Sequence, residues 1–310
     1  MDILNYPKLV ILSLLSTFLY CVYIKSIKRI RQSERSLGLA SHKSKDGTTT
    51  SGGIIFIVLP LFFINYNKEL IMIIIGTIGF GILGLIEDKL IIKYKNNKGI
   101  TPILKLILQT IISALVFYFY ILNNNNTSLN LFGVTIDFKW IYGLLIMWIL
   151  VSSTNAWNLI DGIDGLCAGC SLIFGIGLSI IAYKQNELEL LSMMIVFHIV
   201  LFTFWCFNLP KASLFMGNVG SLGLGAFYAC CSIYLNSLTS FFVMALLFVF
   251  ETVSVILQVI YFKKTKGKRL FRMAPFHHHL EEVGLKEIEV DLIFYIIQII
   301  LVIFVIIFYI

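Results

Sequence analysis

Charge is what this chain has least of. Only 13% of its 310 residues are charged, against 58% hydrophobic, and the mean hydropathy is +0.91. A water-soluble domain cannot hide that much apolar surface, so a pair of globular domains is excluded and a polytopic membrane protein is implied. Cysteine is sparse as well. Cys21, Cys167, Cys170, Cys206, Cys230 and Cys231 lie in or beside apolar runs. Cys167-Ala-Gly-Cys170 has the CxxC spacing, but it opens a membrane helix and has no second pair. All six are therefore expected to be small buried hydrophobes, neither disulfides nor zinc ligands. No internal repeat is evident, which weighs against a transporter built on inverted repeats. The first apolar run lacks the basic leader and small-residue cleavage site of a secretory signal, so it reads as a helix. With so little charge overall, a net +7 reports orientation and contact with anionic lipid or substrate, not nucleic acid.

What the chain has is apolar length. Ten runs are candidate spans: about 7–25, 53–66, 70–86, 102–122, 141–155, 166–183, 189–207, 221–236, 238–262 and 290–309. The expected fold is all-α and polytopic, a single integral membrane domain over 1–310. Of 24 Lys and Arg, 20 fall in alternate loops, 25–52, 87–105, 208–220 and 263–289; Lys8, Lys68, Lys139 and Lys184 lie on the other side. The positive-inside rule puts the first set in the cytoplasm and both termini outside. Among the outer loops, 129–138 alternates around Gly133 and predicts a small hairpin.

The unusual polar chemistry collects in the inner loops. Asn155, Asn158, Asp161 and Asp164 recur every three residues, interleaved with Gly162, Gly165 and Gly169, and predict a polar stripe along one helical face. The alternative is a helix cap followed by a glycine-rich turn. Glu87 and Asp88 are adjacent carboxylates at the end of a span, a costly placement unless solvated or used, and suit a metal ligand beside a general base. Lys93, Lys95, Lys98 and Lys105 follow and can offset phosphate charge. In the first inner loop, the free N–H groups and hydroxyls of 47–53, with Lys45, form a candidate phosphate site. Gly217-Asn-Val-Gly-Ser221 leads into another span as a candidate oxyanion cradle, with Phe215 either a base-stacking ring or a membrane anchor. His277, His278 and His279 are consecutive, so one metal held by all three is unexpected; donation to anionic oxygens suits them better. Glu251 and Gln258 lie seven apart on one face of the ninth span, and an intramembrane Glu is either functional or a helix–helix partner.

Read together, GLIEDK (84–89), NAWNLIDGIDGL (155–166), FMGNVGS (215–221) and MAPFHHHLEEVG (273–284) resemble the polyprenyl-phosphate N-acetylhexosamine-1-phosphate transferases. HKSKDGTTTSGG (42–53) and the triple His are similar to the branch that uses UDP-MurNAc-pentapeptide. The resemblance implies a cytoplasm-facing active site in a bacterial inner membrane. There, undecaprenyl phosphate attacks UDP-MurNAc-pentapeptide with Mg²⁺, giving lipid I and UMP. A homodimer is compatible with it. The alternatives are a GlcNAc-1-phosphate transferase, or a catalytically impaired relative that binds lipid or nucleotide. Carried over, the resemblance implies catalytic work at Glu87, Asp88, Asp164 and His277. Substrate binding falls to Lys45, Lys93, Lys105, Asn155, Asn158, Asp161, Phe215, Gln258, His278 and His279, and the metal to Asp88 and Asn218. Glu87 is one methylene longer than the family's Asp. Asn218 replaces a carboxylate with an amide, and Ile91 stands where many relatives have Lys.

Overall fold

A computed structural model describes residues 6–26, 48–64, 67–94, 99–123, 126–131 and 134–309. Lys45, Lys95 and Lys98 lie outside the described residues. Twelve α-helices and one hairpin are present among them: α1 (Tyr6–Ser26), α2 (Gly53–Val58), α3 (Ile71–Tyr94), α4 (Pro102–Asn123), β1 (Ser128–Leu131), β2 (Val134–Asp137), α5 (Ile141–Ile160), α6 (Leu166–Lys184), α7 (Leu188–Asn208), α8 (Gly217–Tyr234), α9 (Leu238–Met244), α10 (Leu246–Lys264), α11 (Phe276–Val283) and α12 (Glu287–Tyr309). Each run read as a span is helical. Among the described residues eight helices are long and apolar enough to cross a membrane on their own, α1, α3, α4, α5, α6, α7, α10 and α12, and the run at 221–236, within α8, is not one of them. This is a multi-pass membrane protein.

Two expected spans are cut short. The run at 53–66 becomes α2 plus a 3₁₀ turn, Leu59–Phe62, because Pro60 has no N–H to continue the α-ladder. The run at 238–262 divides at Ala245 into α9 and α10. The hairpin forms where alternation predicted it, antiparallel, with Ser128 opposite Asp137 and Leu131 opposite Val134.

Lipid-facing helices are apolar on their exposed side. Leu14 and Phe18 of α1 and Ile300 and Ile307 of α12 are all more than half exposed, which is stable only in hydrocarbon. α8 is the opposite case. It is buried from Val219 to Ile233 and packs against α2, α3, α5, α6 and α9. Its glycines, alanines and serines let neighbours approach closely, the usual way membrane helices gain packing where water does not drive them together. Trp157 is the largest fully buried side chain. Its ring stacks on Phe248 at 3.8 Å, meets Phe174 edge-on at 5.4 Å, and donates from Nε1 to Ser171 Oγ at 2.9 Å. This knot of rings locks the end of α5 next to α6, α9 and α10, one residue before Asn158.

The cysteines are all free, as expected. Their expected burial holds for Cys167, Cys170, Cys230 and Cys231. Cys206, however, is exposed on α7 and Cys21 is half-buried, because a bilayer, unlike water, does not penalise an exposed thiol.

Candidate active site

Asp88 lies near the C-terminal end of α3 and is 7% exposed. Its Oδ1 accepts the Asn218 N–H at 2.9 Å. Its Oδ2 accepts the Ser51 hydroxyl at 2.9 Å and the Val219 N–H at 3.3 Å. The first turn of α8 therefore has its anion already: the carboxylate of Asp88 satisfies orphan N–H groups that carry the positive end of the helix dipole. This corrects the reading of 217–221 as an open oxyanion cradle. Gly84, one turn before Asp88, makes the contact possible, since a Cβ there would overlap the Asn218 carbonyl.

The stretch before α2 is also committed. Thr49 and Leu214 form a parallel bridge, with Phe215 N–H donating to Thr49 O at 2.9 Å. Gly52 N–H donates to Phe215 O at 2.9 Å and Gly53 N–H to Met216 O at 3.0 Å. The expected phosphate site at 47–53 thus has its Gly52 and Gly53 donors taken by backbone. A buried carbonyl needs a donor as much as a phosphate does. The effect is to splice the first inner loop onto the Phe215–Ser221 segment.

Glu87 points the other way. Its Oε2 accepts from Lys105 Nζ of α4 at 2.8 Å, with both side chains largely buried. Lys93 lies outside this group, with its Nζ 5.5 Å from the Tyr94 ring centroid.

The expected polar stripe does not run straight. α5 stops at Ile160, so only Asn155 and Asn158 share a helical face; residues 161–165 form a turn. Asn155 Nδ2 donates to Gln109 Oε1 of α4 at 3.1 Å. Asn158 Nδ2 donates to Asn218 Oδ1 and to Ser221 Oγ, both at 2.8 Å. In the turn, Asp164 is 2% exposed and its Oδ2 accepts the Ala212 N–H at 3.0 Å. Asp161 is half-buried. The helix ends because the backbone of Asp161 leaves the α region and Gly165 takes φ 85°, which favours glycine.

α11 closes the site. Gly162 sits against both His277 Nε2 and His278 Nε2, and a Cβ there would overlap the former. The His277 and His278 rings are 4.2 Å apart. His278 Nδ1 meets Glu281 Oε2 at 2.7 Å. His279 turns away, its Nδ1 accepting the Arg272 N–H at 3.1 Å. The divergence expected of three consecutive histidines holds for the third, while two converge on one turn. Gln258 Oε1 accepts the N–H groups of Leu270 and Phe271, at 3.1 and 2.8 Å, and so fastens the loop that leads to α11.

Contacts therefore join Ser51, Asp88, Asn218 and Asn158, and the backbone leads within three residues from Asn158 into the 161–165 turn, where Gly162 meets His277 and His278. No cluster of three or more His, Cys, Asp or Glu placed to hold a metal occurs among the described residues. The donor set is nonetheless suited to Mg²⁺. That ion is commonly held by one or two carboxylates, with substrate phosphate and water completing the shell. Asp88 Oδ1 has one N–H donor, the backbone of Asn218, and a lone pair to spare, while the Asn218 side-chain Oδ1 accepts from Asn158. Ser51, expected among the phosphate-binding hydroxyls, serves Asp88 instead, and sequence reasoning passed over Asn208 and Trp157. Asn208 ties the turn to α8's entry, accepting from Gly165 N at 3.1 Å and donating to Leu214 O at 2.9 Å.

A multi-pass helical bundle whose helix ends and one inter-helix turn gather carboxylates, amides, a lysine and imidazoles has the architecture of an integral-membrane enzyme. Residues 70–236, which include Glu87, Asp88, the 161–165 turn and Asn218, match the family described as glycosyl transferase family 4. Three proteins named phospho-N-acetylmuramoyl-pentapeptide-transferase are similar over most of the chain. That of Staphylococcus saprophyticus is 38% identical, covering 93% of this chain and 94% of the relative. That of Staphylococcus aureus is 37% identical, over 92% and 93%. That of Streptococcus agalactiae is 38% identical, over 83% and 82%. The chain belongs to the phospho-N-acetylmuramoyl-pentapeptide-transferase family.

Proposed function

We propose that this protein transfers the phospho-N-acetylmuramoyl-pentapeptide group from its UDP conjugate to undecaprenyl phosphate, on the cytoplasmic face of a bacterial inner membrane. UMP and lipid I are the products. The observation that carries this reading is that Asp88 contacts Asn218, Asn218 contacts Asn158, and the turn that follows Asn158 meets His277 at Gly162, which brings together the motifs that resemble the family's.

In the reaction a P–O bond to the lipid phosphate forms as the P–O bond to UMP breaks. Nucleophile and leaving group are both phosphate oxygens. The lipid phosphate is mostly ionised at neutral pH, so the main barrier is repulsion between anions, not proton removal. The chain's own cations address that repulsion, with Lys105 held by Glu87 at the edge of the group. Asn155, Asn158 and Asp161 are assigned to the substrate, and Phe215 to stacking on the uracil. His278 is assigned to the donor's phosphates, and His277 to catalysis. Asp88 and Asn218 would hold Mg²⁺, which would supply charge neutralisation for the phosphoryl group. Lys45, Lys93 and Gln258 are assigned to substrate with them, and Asp164 to catalysis.

The test is UMP release by purified protein with Mg²⁺, undecaprenyl phosphate and a panel of UDP-sugars. Turnover confined to UDP-MurNAc-pentapeptide is expected. Turnover of UDP-GlcNAc instead would move the protein to the related branch. Binding of a UDP-sugar without UMP release from any of them would make it an impaired relative.

A further inference from the structure

Glu251 sits within α10 with no exposure at all, among apolar helices. A carboxylate so placed is expensive unless its lone pairs are filled. They are filled by one short segment. Oε2 accepts the Phe276 N–H at 2.9 Å and Oε1 the His277 N–H at 3.1 Å, which caps the first turn of α11. Oε2 also faces His277 Nδ1 at 3.2 Å. Both oxygens already serve as acceptors for backbone N–H groups, and this geometry assigns the hydrogen of the pair to Nδ1. The neutral ring then has its lone pair on Nε2. That atom is buried, has no hydrogen-bond partner, and lies against Gly162 in the turn between α5 and α6.

We propose that Glu251 is a positioning residue for His277: it docks α11 onto α10 and fixes the tautomer that presents a bare Nε2 to the Asp161–Asp164 turn. The pairing has a chemical consequence. A ring held this way can accept a proton or a hydrogen bond at Nε2, and the carboxylate behind it stabilises the imidazolium once the proton arrives. With the amide of a Gln at 251, whichever way it is turned, one N–H donor of α11 faces an NH₂. If the NH₂ faces Nδ1, the ring is pushed into the opposite tautomer, with its hydrogen on Nε2 against Gly162.

The inference rests on the transferase reading for its rate measurement alone. The first arm is ¹⁵N-histidine NMR of the full chain in nanodiscs, at a pH where imidazoles are neutral. His277 is assigned by the signals lost in His277→Ala. Wild type is expected to have a pyrrole-like Nδ1 and a pyridine-like Nε2 at 277. The reverse tautomer in wild type overturns the proposal, and this holds even if no Glu251 variant folds. In Glu251→Gln the ring is expected to change tautomer or to mix the two.

The second arm compares UMP release in Glu251→Gln, His277→Ala and the double variant. Loss of an orienting partner is expected to cost about 10–100-fold. Residues acting as one unit are non-additive, so the double variant should match the slower single variant within about threefold. Multiplicative losses with an unchanged tautomer would make Glu251 a structural anchor only and overturn the proposal. A protein that turned over no UDP-sugar would refute the proposed function but leave the NMR arm able to decide this one.

Discussion

Position 218 offers the sharpest test of how this site handles charge. Asn218 is the second residue of α8, its N–H donates to Asp88 Oδ1 at 2.9 Å, and its own Oδ1 accepts from Asn158 Nδ2 at 2.8 Å. The substitution Asn218→Asp keeps every one of these contacts: the backbone N–H is untouched, and Asn158 donates to a carboxylate as well as to an amide. What changes is one negative charge beside Asp88. Three terms compete. The N-terminus of α8 favours the new charge by about 0.3–1 kcal/mol. Repulsion from Asp88 opposes it, and more strongly because that carboxylate is buried. A divalent cation, if held by Asp88 and residue 218, would reverse the sign of the second term and add a charge-assisted contact of roughly 1–3 kcal/mol. The net expectation is a protein less heat-stable than wild type without Mg²⁺ and equal or better with it. Its half-saturating Mg²⁺ for UMP release should be lower by about one to two decades. The assay is a Mg²⁺ titration of UMP release with thermal melts over the same concentrations. Identical half-saturation and identical maximal rate in the two proteins would refute the assignment of Asn218 to the metal.

Three further outcomes are expected. Gly162→Ala places a Cβ on His277 Nε2, so UMP release should fall at least about tenfold while the helical circular dichroism is retained; overpacking of this kind costs roughly 1–3 kcal/mol, and an unchanged rate would mean that the turn and α11 do not meet as described. Lys105→Met strands the largely buried Glu87 carboxylate and should lower stability by about 1–3 kcal/mol, with recovery in Glu87→Gln/Lys105→Met; a melt in which the double variant is worse than either single one would show that the pair is not the relevant partner. Asp88→Asn offers an NH₂ to N–H groups that need acceptors and should cost about 0.5–2 kcal/mol of thermal stability as well as activity, so a variant as heat-stable as wild type would contradict the capping of α8.

Composition and hydropathy suffice for the membrane class, for the helical character of each apolar run and for the hairpin, because each depends on residues close in sequence. The Asn and Asp at a spacing of three identify the site, yet they mislead about its shape. The stripe expected on one helix is broken at Ile160, where Trp157 is clamped between rings from α6 and α10 and the chain turns towards α11. Hydropathy cannot foresee that stop, since Leu159 and Ile160 are as apolar as the helix they end. The same limit applies to the helix start at 217. Its glycines and amides read as an empty anion site because the anion that fills it, Asp88, is 130 residues earlier in the chain. Glu251 is legible as an anomaly, a carboxylate in an apolar span. Its role is not, because nothing local says whether its partner is another helix, a lipid or a substrate. Tertiary structure decided that it binds the first turn of α11, 25 residues on, where two backbone N–H groups and an imidazole had no other acceptor.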